Sequence, residues 1–197
     1  MKIDEVILAS KSPRRRELLD QIGVVYRCVP SEKPEVLTST IPKDVVMELS
    51  RQKASDVAEI VEDGRERLII GSDTVVAFED KILGKPKDEQ DAFDMILMLS
   101  GKTHEVYTGV TVIYQNESQQ EIRTFYECTK VFVDNLSEQN IRDYIATGEP
   151  MDKAGSYGIQ GYFGKYVTGI EGDYNNVVGL PVSRLYREVK EKFSIEL

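Results

Sequence analysis

Tryptophan is absent from this chain, histidine occurs once and cysteine twice among 197 residues. Each scarcity closes off a kind of chemistry. The lone imidazole, His104, has no second ligand at metal-binding spacing, so it reads as a structural or exposed side chain and not as a metal centre. Cys28 and Cys128 fall one each in strand-like runs and form no CxxC pair; buried, reduced thiols are expected. No run of about 18 apolar residues exists to cross a bilayer. The start Met1-Lys2-Ile3-Asp4-Glu5 lacks the apolar stretch of a signal peptide, so a cytoplasmic protein without a membrane partner is expected. A GxxxxGKS loop is missing, which removes P-loop ATPases and kinases. There is no internal repeat, low-complexity tract or Pro/Gly/Ser linker. With 41% hydrophobic content the chain can bury a full core, as one domain or as two lobes of one.

A broad basic surface is lacking too. The formal net charge is −9, which argues against nucleic acid as a partner, because displacing condensed counterions needs many cations. What positive charge there is gathers in Leu8-Ala9-Ser10-Lys11-Ser12-Pro13-Arg14-Arg15-Arg16, with no acid before Glu17. Val6 to Leu8 reads as a short buried strand, Ser12 as a helix N-cap and Pro13 as the first helical residue, where a missing N–H costs nothing. The open amides and positive dipole end of such a helix favour a phosphate. A solvated basic face is the bland alternative. In an acidic chain, a cluster at a helix start points instead to a small polyanion such as a nucleotide.

Further along, Val25 to Val29 reads as a strand. Pro42 to Val61 places Val45, Val46, Leu49, Lys53, Val57, Ala58 and Val61 at helical spacing. Lys53 on or beside that apolar stripe either reaches a partner or snorkels to water. Leu68 to Ile70 forms a strand that meets a polar break, Gly71-Ser72-Asp73-Thr74, and resumes as Val75 to Phe78. Such a break is poor for stability alone, so close backbone approach or a displayed carboxylate is expected there. A turn at Glu79-Asp80-Lys81 and a hairpin through Ile82 to Pro86 follow. Asp88 to Leu99 is helical. Gly109 to Tyr114 and Arg123 to Val133 are strands around a polar turn at Asn116-Glu117-Ser118. Ser137 caps a helix running to Thr147. The last third is dense in glycine, marking turns and close contacts, with a strand at Tyr166 to Ile170. A helix opened by Pro181 repeats Leu185, Val189 and Phe193. The pattern is α/β with mixed strand directions.

Three polar islands stand on this scaffold: the cationic helix start, Asp73 with Lys85 a hairpin later, and Asp152-Lys153-Ala154-Gly155-Ser156-Tyr157-Gly158-Ile159-Gln160-Gly161. Cations for phosphate, a carboxylate for metal or water and an amide to read a base are the parts of a nucleotide hydrolase. The segments LASKSPRRRELL, QKA at 52 to 54, IIGSDTVV, ILGKPKD, LSGKTHEVYTGVTV, EPMDKAGSYGIQG and GDYNNVVGLPVSRL resemble, in order and from end to end, the Maf family of nucleoside triphosphate pyrophosphatases. That resemblance implies a single Maf-like domain over residues 1–197. It also implies an α/β fold with a long, twisted mixed sheet, flanking helices and two lobes around a central cleft, commonly assembled as a homodimer.

It further implies hydrolysis between the α and β phosphates, yielding a monophosphate and pyrophosphate with a divalent cation, Mg²⁺ or Mn²⁺. By motif, Asp73 corresponds to the proton acceptor. A carboxylate there can deprotonate a water or bind the metal that lowers its pKa. Ser10, Arg14, Arg15, Lys53 and Lys85 would surround the triphosphate, and Glu35 with Asp73 would hold the metal. Lys33-Pro34 before Glu35 is a departure, since relatives often carry a more acidic loop here. The GIQG sequence resembles the dTTP and UTP branch. Gln160 carries a donor and an acceptor for the edge of uracil or thymine, and Arg14 and Thr74 accompany that selectivity. The alternatives are the 7-methyl-GTP branch and, in another class, a nucleotide-binding regulator of cell division or septum formation.

Overall fold

The computed structural model describes residues 3–79 and 81–197; Met1, Lys2 and the Asp80 of the expected turn lie outside the described residues. Along the chain come β1 (Glu5–Leu8), α1 (Pro13–Gln21), β2 (Arg27–Cys28), α2 (Pro42–Ile60), β3 (Arg67–Phe78), β4 (Lys81–Leu83) and α3 (Glu89–Leu99). Then follow β5 (Thr103–Gln115), β6 (Gln120–Val133), α4 (Glu138–Ile145), β7 (Val167–Glu171), α5 (Tyr174–Val178) and α6 (Val182–Phe193). Among the described residues the strands make one seven-stranded sheet, ordered β2-β1-β3-β5-β6-β7 with β4 beside β3. β1 lies parallel to β2 and β3, whereas β4 and β7 run antiparallel to their neighbours. This is the mixed α/β sheet with flanking helices that the sequence pattern predicts.

The chain divides into two compact units, one of Met1–Asp73, Thr108–Glu127 and Gly179–Leu197, the other of Thr74–Tyr107 and Cys128–Val178. In the first, α2 buries Ala54, Val57 and Ala58, joined by Val61 just past its end, against Ile7, Ala9, Ile69 and Ile113. Each valine or isoleucine so removed from water contributes about 1.5–3 kcal/mol, and each alanine less. The helix sits unusually close to the sheet. A Cβ at Gly71 of β3 would overlap the Ser50 carbonyl oxygen, and one at Gly109 of β5 would overlap that of Val46. Leu185, Val189 and Phe193 of α6 are buried at their four-residue step. In the second unit, Val76, Phe93, Ile96, Val106, Ile141 and Tyr144 belong to one core. Asp88 caps α3 by accepting from the Asp91 N–H at 2.8 Å, and Ser137 closes a capping box with Asn140 at the start of α4.

Three expectations need correction. The second strand is only two residues long, at the edge of the sheet, and Val25 is 90% exposed. Cys28 on that edge is therefore exposed, and Cys128 is half-buried rather than buried; neither thiol forms a disulfide. There is also no strand break at 71–74: β3 runs unbroken for twelve residues, because main-chain pairing is indifferent to side-chain polarity and the pleat sends alternate residues to opposite faces. The helix α5 and the 3₁₀ turns Glu149–Asp152, Ala154–Ser156 and Tyr162–Tyr166 occupy the glycine-rich third without an apolar repeat to announce them. Among the described residues no helix is long and apolar enough to cross a membrane.

Candidate active site

At the end of β1 the chain reaches α1 through Ser10. Ser12 holds the N-cap position with extended backbone and Pro13 opens the helix, as the spacing predicts, but the Ser12 hydroxyl makes no capping bond. Its N–H instead donates to Ser10 Oγ at 3.2 Å. No acid lies in the first turn, so nothing local offsets the positive helix end. Arg15 folds back, donating from Nη1 to Ser10 Oγ at 3.1 Å and from Nε to the Gly179 carbonyl at 2.8 Å. Burial lowers the Arg15 pKa, Asp73 raises it, Arg14 lowers it and Glu35 raises it. An arginine so placed stays charged, and the charges acting on it are those of groups the sequence assigns to the site.

The pleat of β3 then sorts three consecutive residues. Gly71 and Asp73 share the face towards α2, and Ser72 takes the other, where its buried hydroxyl donates to the same Gly179 carbonyl at 3.1 Å. Because Gly71 has no side chain, α2 approaches β3 closely, and Lys53, the residue before Ala54, reaches across. Its ammonium lies 2.5 Å from Asp73 Oδ1 and 2.9 Å from Glu35 Oε1. The question of whether Lys53 snorkels or meets a partner is thereby answered. The Asp73 side chain is 14% exposed and that of Glu35 55%, so one carboxylate is held mostly out of water and the other stands at its edge. Within the first unit, then, Ser10 meets Arg15, and Lys53 joins Glu35 to Asp73.

The remaining residues belong to the second unit. Thr74 follows Asp73 on β3 and is half-buried. Lys85 is exposed, two residues past β4, where the Gly84 carbonyl accepts from the Gly155 N–H at 3.0 Å and so ties this loop to the third island. Gln160 is exposed on the loop between two 3₁₀ turns. That loop is anchored beneath it. Glu149 accepts from the Tyr162 N–H at 2.8 Å and from the Tyr144 hydroxyl at 3.1 Å, and leaves no room for a side chain at Gly161.

Among the described residues, no three His, Cys, Asp or Glu side chains group as a ready-made metal site. Glu35 and Asp73 nonetheless converge on one cation, the Lys53 ammonium. Two hard carboxylate oxygens, completed by water and phosphate oxygens, are the protein ligands Mg²⁺ ordinarily takes. His104 is 2% exposed and pairs through Nε2 with the Tyr157 hydroxyl at 2.7 Å. Its role is structural.

The whole arrangement can be set against known proteins. A family model described as Maf-like protein matches residues 5–192. This chain belongs to the Maf family. A protein from Lachnoclostridium phytofermentans named dTTP/UTP pyrophosphatase is 54% identical over 194 residues, covering 98% of this chain and 97% of that one. One of the same name from Agathobacter rectalis is 53% identical over 200 residues, covering 96% and 98%. Another, from Bacillus cereus, is 50% identical over 194 residues, covering 98% and 92%.

Four residues of this Maf chain support the site and were not singled out from sequence. Ser72 and Gly179 anchor Arg15 through a shared carbonyl. Gln52 holds the loop of Glu35, and Glu149 holds the loop of Gln160. All four lie inside motifs of the Maf resemblance, but each of these contacts has a backbone atom on one side, which sequence patterns do not display.

Proposed function

We propose that this chain hydrolyses dTTP and UTP, and modified pyrimidine triphosphates of the same shape, to the nucleoside monophosphate and pyrophosphate. The observation that carries the reading is the Lys53 ammonium held between Asp73 and Glu35, whose charges also act on the Arg15 guanidinium; the names borne by relatives about half identical over nearly their full length support it.

Lys53 bonds to Asp73 Oδ1, so Oδ2 is the oxygen assigned to take a proton from water. The water oxygen bonds to the α-phosphorus, the bond to the bridging oxygen breaks, and its electron pair departs with pyrophosphate. Arg14, Arg15, Lys53 and Lys85 neutralise charge on that leaving group, and preorganised cations of this kind cost no reorganisation during reaction. Ser10 fixes Arg15 for that task. Glu35 and Asp73 would hold Mg²⁺ or Mn²⁺, which when bound supplies charge neutralisation on phosphate and lowers the pKa of its water. Gln160 would pair with the uracil or thymine edge, with Thr74 and Arg14 assisting the selection.

The test is pyrophosphate release from a panel of triphosphates with Mg²⁺ or Mn²⁺, measured for wild type and Asp73→Asn. Turnover is expected for UTP and dTTP, with little for 7-methyl-GTP and the purines, and a fall of roughly two to four orders of magnitude in the variant, the scale of a lost general base. Preference for 7-methyl-GTP, binding without turnover, or a variant above about a tenth of wild-type kcat would each overturn part of the assignment.

A further inference from the structure

Glu35 sits on an exposed loop between β2 and α2, and a carboxylate on a free loop would sample many positions. This loop is not free. Three α2 side chains spaced four apart, Glu48, Gln52 and Asp56, lie on one face of the helix and grip it at successive points. Asp56, 4% exposed, accepts through Oδ2 from Ser31 Oγ at 2.7 Å and from the Glu32 N–H at 3.1 Å. Gln52 Oε1 accepts from the Val36 N–H at 3.0 Å while its Nε2 donates to the Val36 carbonyl. Glu48 accepts from the Thr38 N–H at 3.0 Å and the Thr38 hydroxyl at 2.9 Å.

The central grip bears most directly on Glu35. The Val36 N–H belongs to the peptide plane that leaves Glu35, so fixing that plane restricts the Glu35 backbone on its C-terminal side. On the other side stands Pro34, whose ring fixes its own φ. The Lys33-Pro34 departure therefore stiffens the loop. Two consecutive helix residues, Gln52 and Lys53, thus hold two consecutive loop residues, Val36 by its backbone and Glu35 by its carboxylate. The loop meanwhile leaves Val36 61% and Leu37 54% exposed, so hydrophobic burial of these side chains does not account for its course.

The geometry points to Gln52 as a positioning residue that fixes the Glu35 carboxylate at the Lys53–Asp73 centre, with Glu48 and Asp56 as flanking clamps. This rests on the role proposed above for Glu35. Without the clamp the chain folds, but Glu35 must be recruited from a mobile loop in every catalytic cycle.

A double-mutant cycle between Gln52→Met and Glu35→Gln tests it, read by kcat/KM for UTP in Mg²⁺ and by amide exchange at Val36. Methionine keeps the length of the side chain and removes both hydrogen bonds; Gln52→Ala serves if it packs poorly. Val36 exchange should quicken while the α2 amides keep their protection. The single variant should lose about 10- to 100-fold in kcat/KM, as ligand-supporting residues do, and that loss should vanish when Glu35 is already glutamine. Losses that multiply, or a Val36 amide that exchanges as in wild type, would overturn the proposal. So would faster Val36 exchange with unchanged kinetics beside an impaired Glu35→Gln. If Glu35→Gln alone retains wild-type activity, the catalytic reading of Glu35 has failed first, and the clamp falls with it as a catalytic device whatever Val36 does.

Discussion

Replacing Gly71 by alanine adds one methyl group at the point where β3 supports α2. The new Cβ would overlap the Ser50 carbonyl oxygen, lie 2.8 Å from the Ala54 nitrogen and 2.9 Å from the Ala54 Cβ. Two of these atoms are backbone, so no rotamer change relieves them. Carbon atoms rest at about 3.5–4.0 Å, so α2 must withdraw by roughly 0.6–1 Å. Overpacking of this kind costs about 1–3 kcal/mol of stability. The functional cost should exceed what stability accounts for, because Lys53 adjoins Ala54 and moves with it, away from the Asp73 carboxylate that it now touches. A displacement near 1 Å at a reacting centre is worth about 100-fold in rate. Gly109→Ala is the matched control. Its Cβ would overlap the Val46 carbonyl and lie 2.8 Å from the Met47 nitrogen, pushing the same helix about two turns before Lys53. Urea unfolding and pyrophosphate release, measured on both variants, should give similar stability losses but a much larger fall in kcat for Gly71→Ala. Equal falls in kcat, or wild-type kinetics in Gly71→Ala, would refute the claim that this close approach places Lys53.

Two other outcomes follow from the second unit. Gln160→Glu replaces the amide donor with an acceptor on a loop tied down by Glu149, and kcat/KM for UTP and dTTP should fall by about 1.5–3 kcal/mol, the scale of a charged or buried hydrogen bond, while purine triphosphates change far less; equal losses for all bases would mean that Gln160 shapes the loop without reading the base. His104 supplies a pH test: burial lowers its pKa to about 4 from an ordinary 6.5, so the folded state resists a proton that the unfolded chain accepts. Stability from this source is full above pH 6.5 and is lost as pH falls towards 4, up to about 3 kcal/mol. Denaturant titrations at stepped pH should show a shallower acid slope in His104→Gln, and identical slopes would refute the assignment.

Much of the candidate site's local framework was legible in the chain itself. Ser12 followed by Pro13 announces the start of α1 whatever surrounds it, because a missing N–H and an extended N-cap are local properties. The apolar spacing of Val45 to Val61 predicts α2, and an off-pattern lysine marks Lys53 as unusual. The order of the motifs gives the family. What the spacing left open is pairing. Whether Lys53 meets a carboxylate, and which, depends on how closely α2 rests on β3, and that distance is set by the absent side chain of Gly71 against the backbone of a helix distant in sequence. The same holds for Gln52, Ser72, Gly179 and Glu149, whose contacts run through main-chain carbonyls and amides that every residue possesses and no sequence pattern distinguishes. It holds for Cys28 as well, since a strand-like run is exposed or buried according to its place in the sheet, and β2 lies at the edge. Local spacing was enough to predict most of the long helices and strands and the chemical groups they carry; which of those groups touch was decided only by the fold, because contact depends on distances between segments that are far apart along the chain.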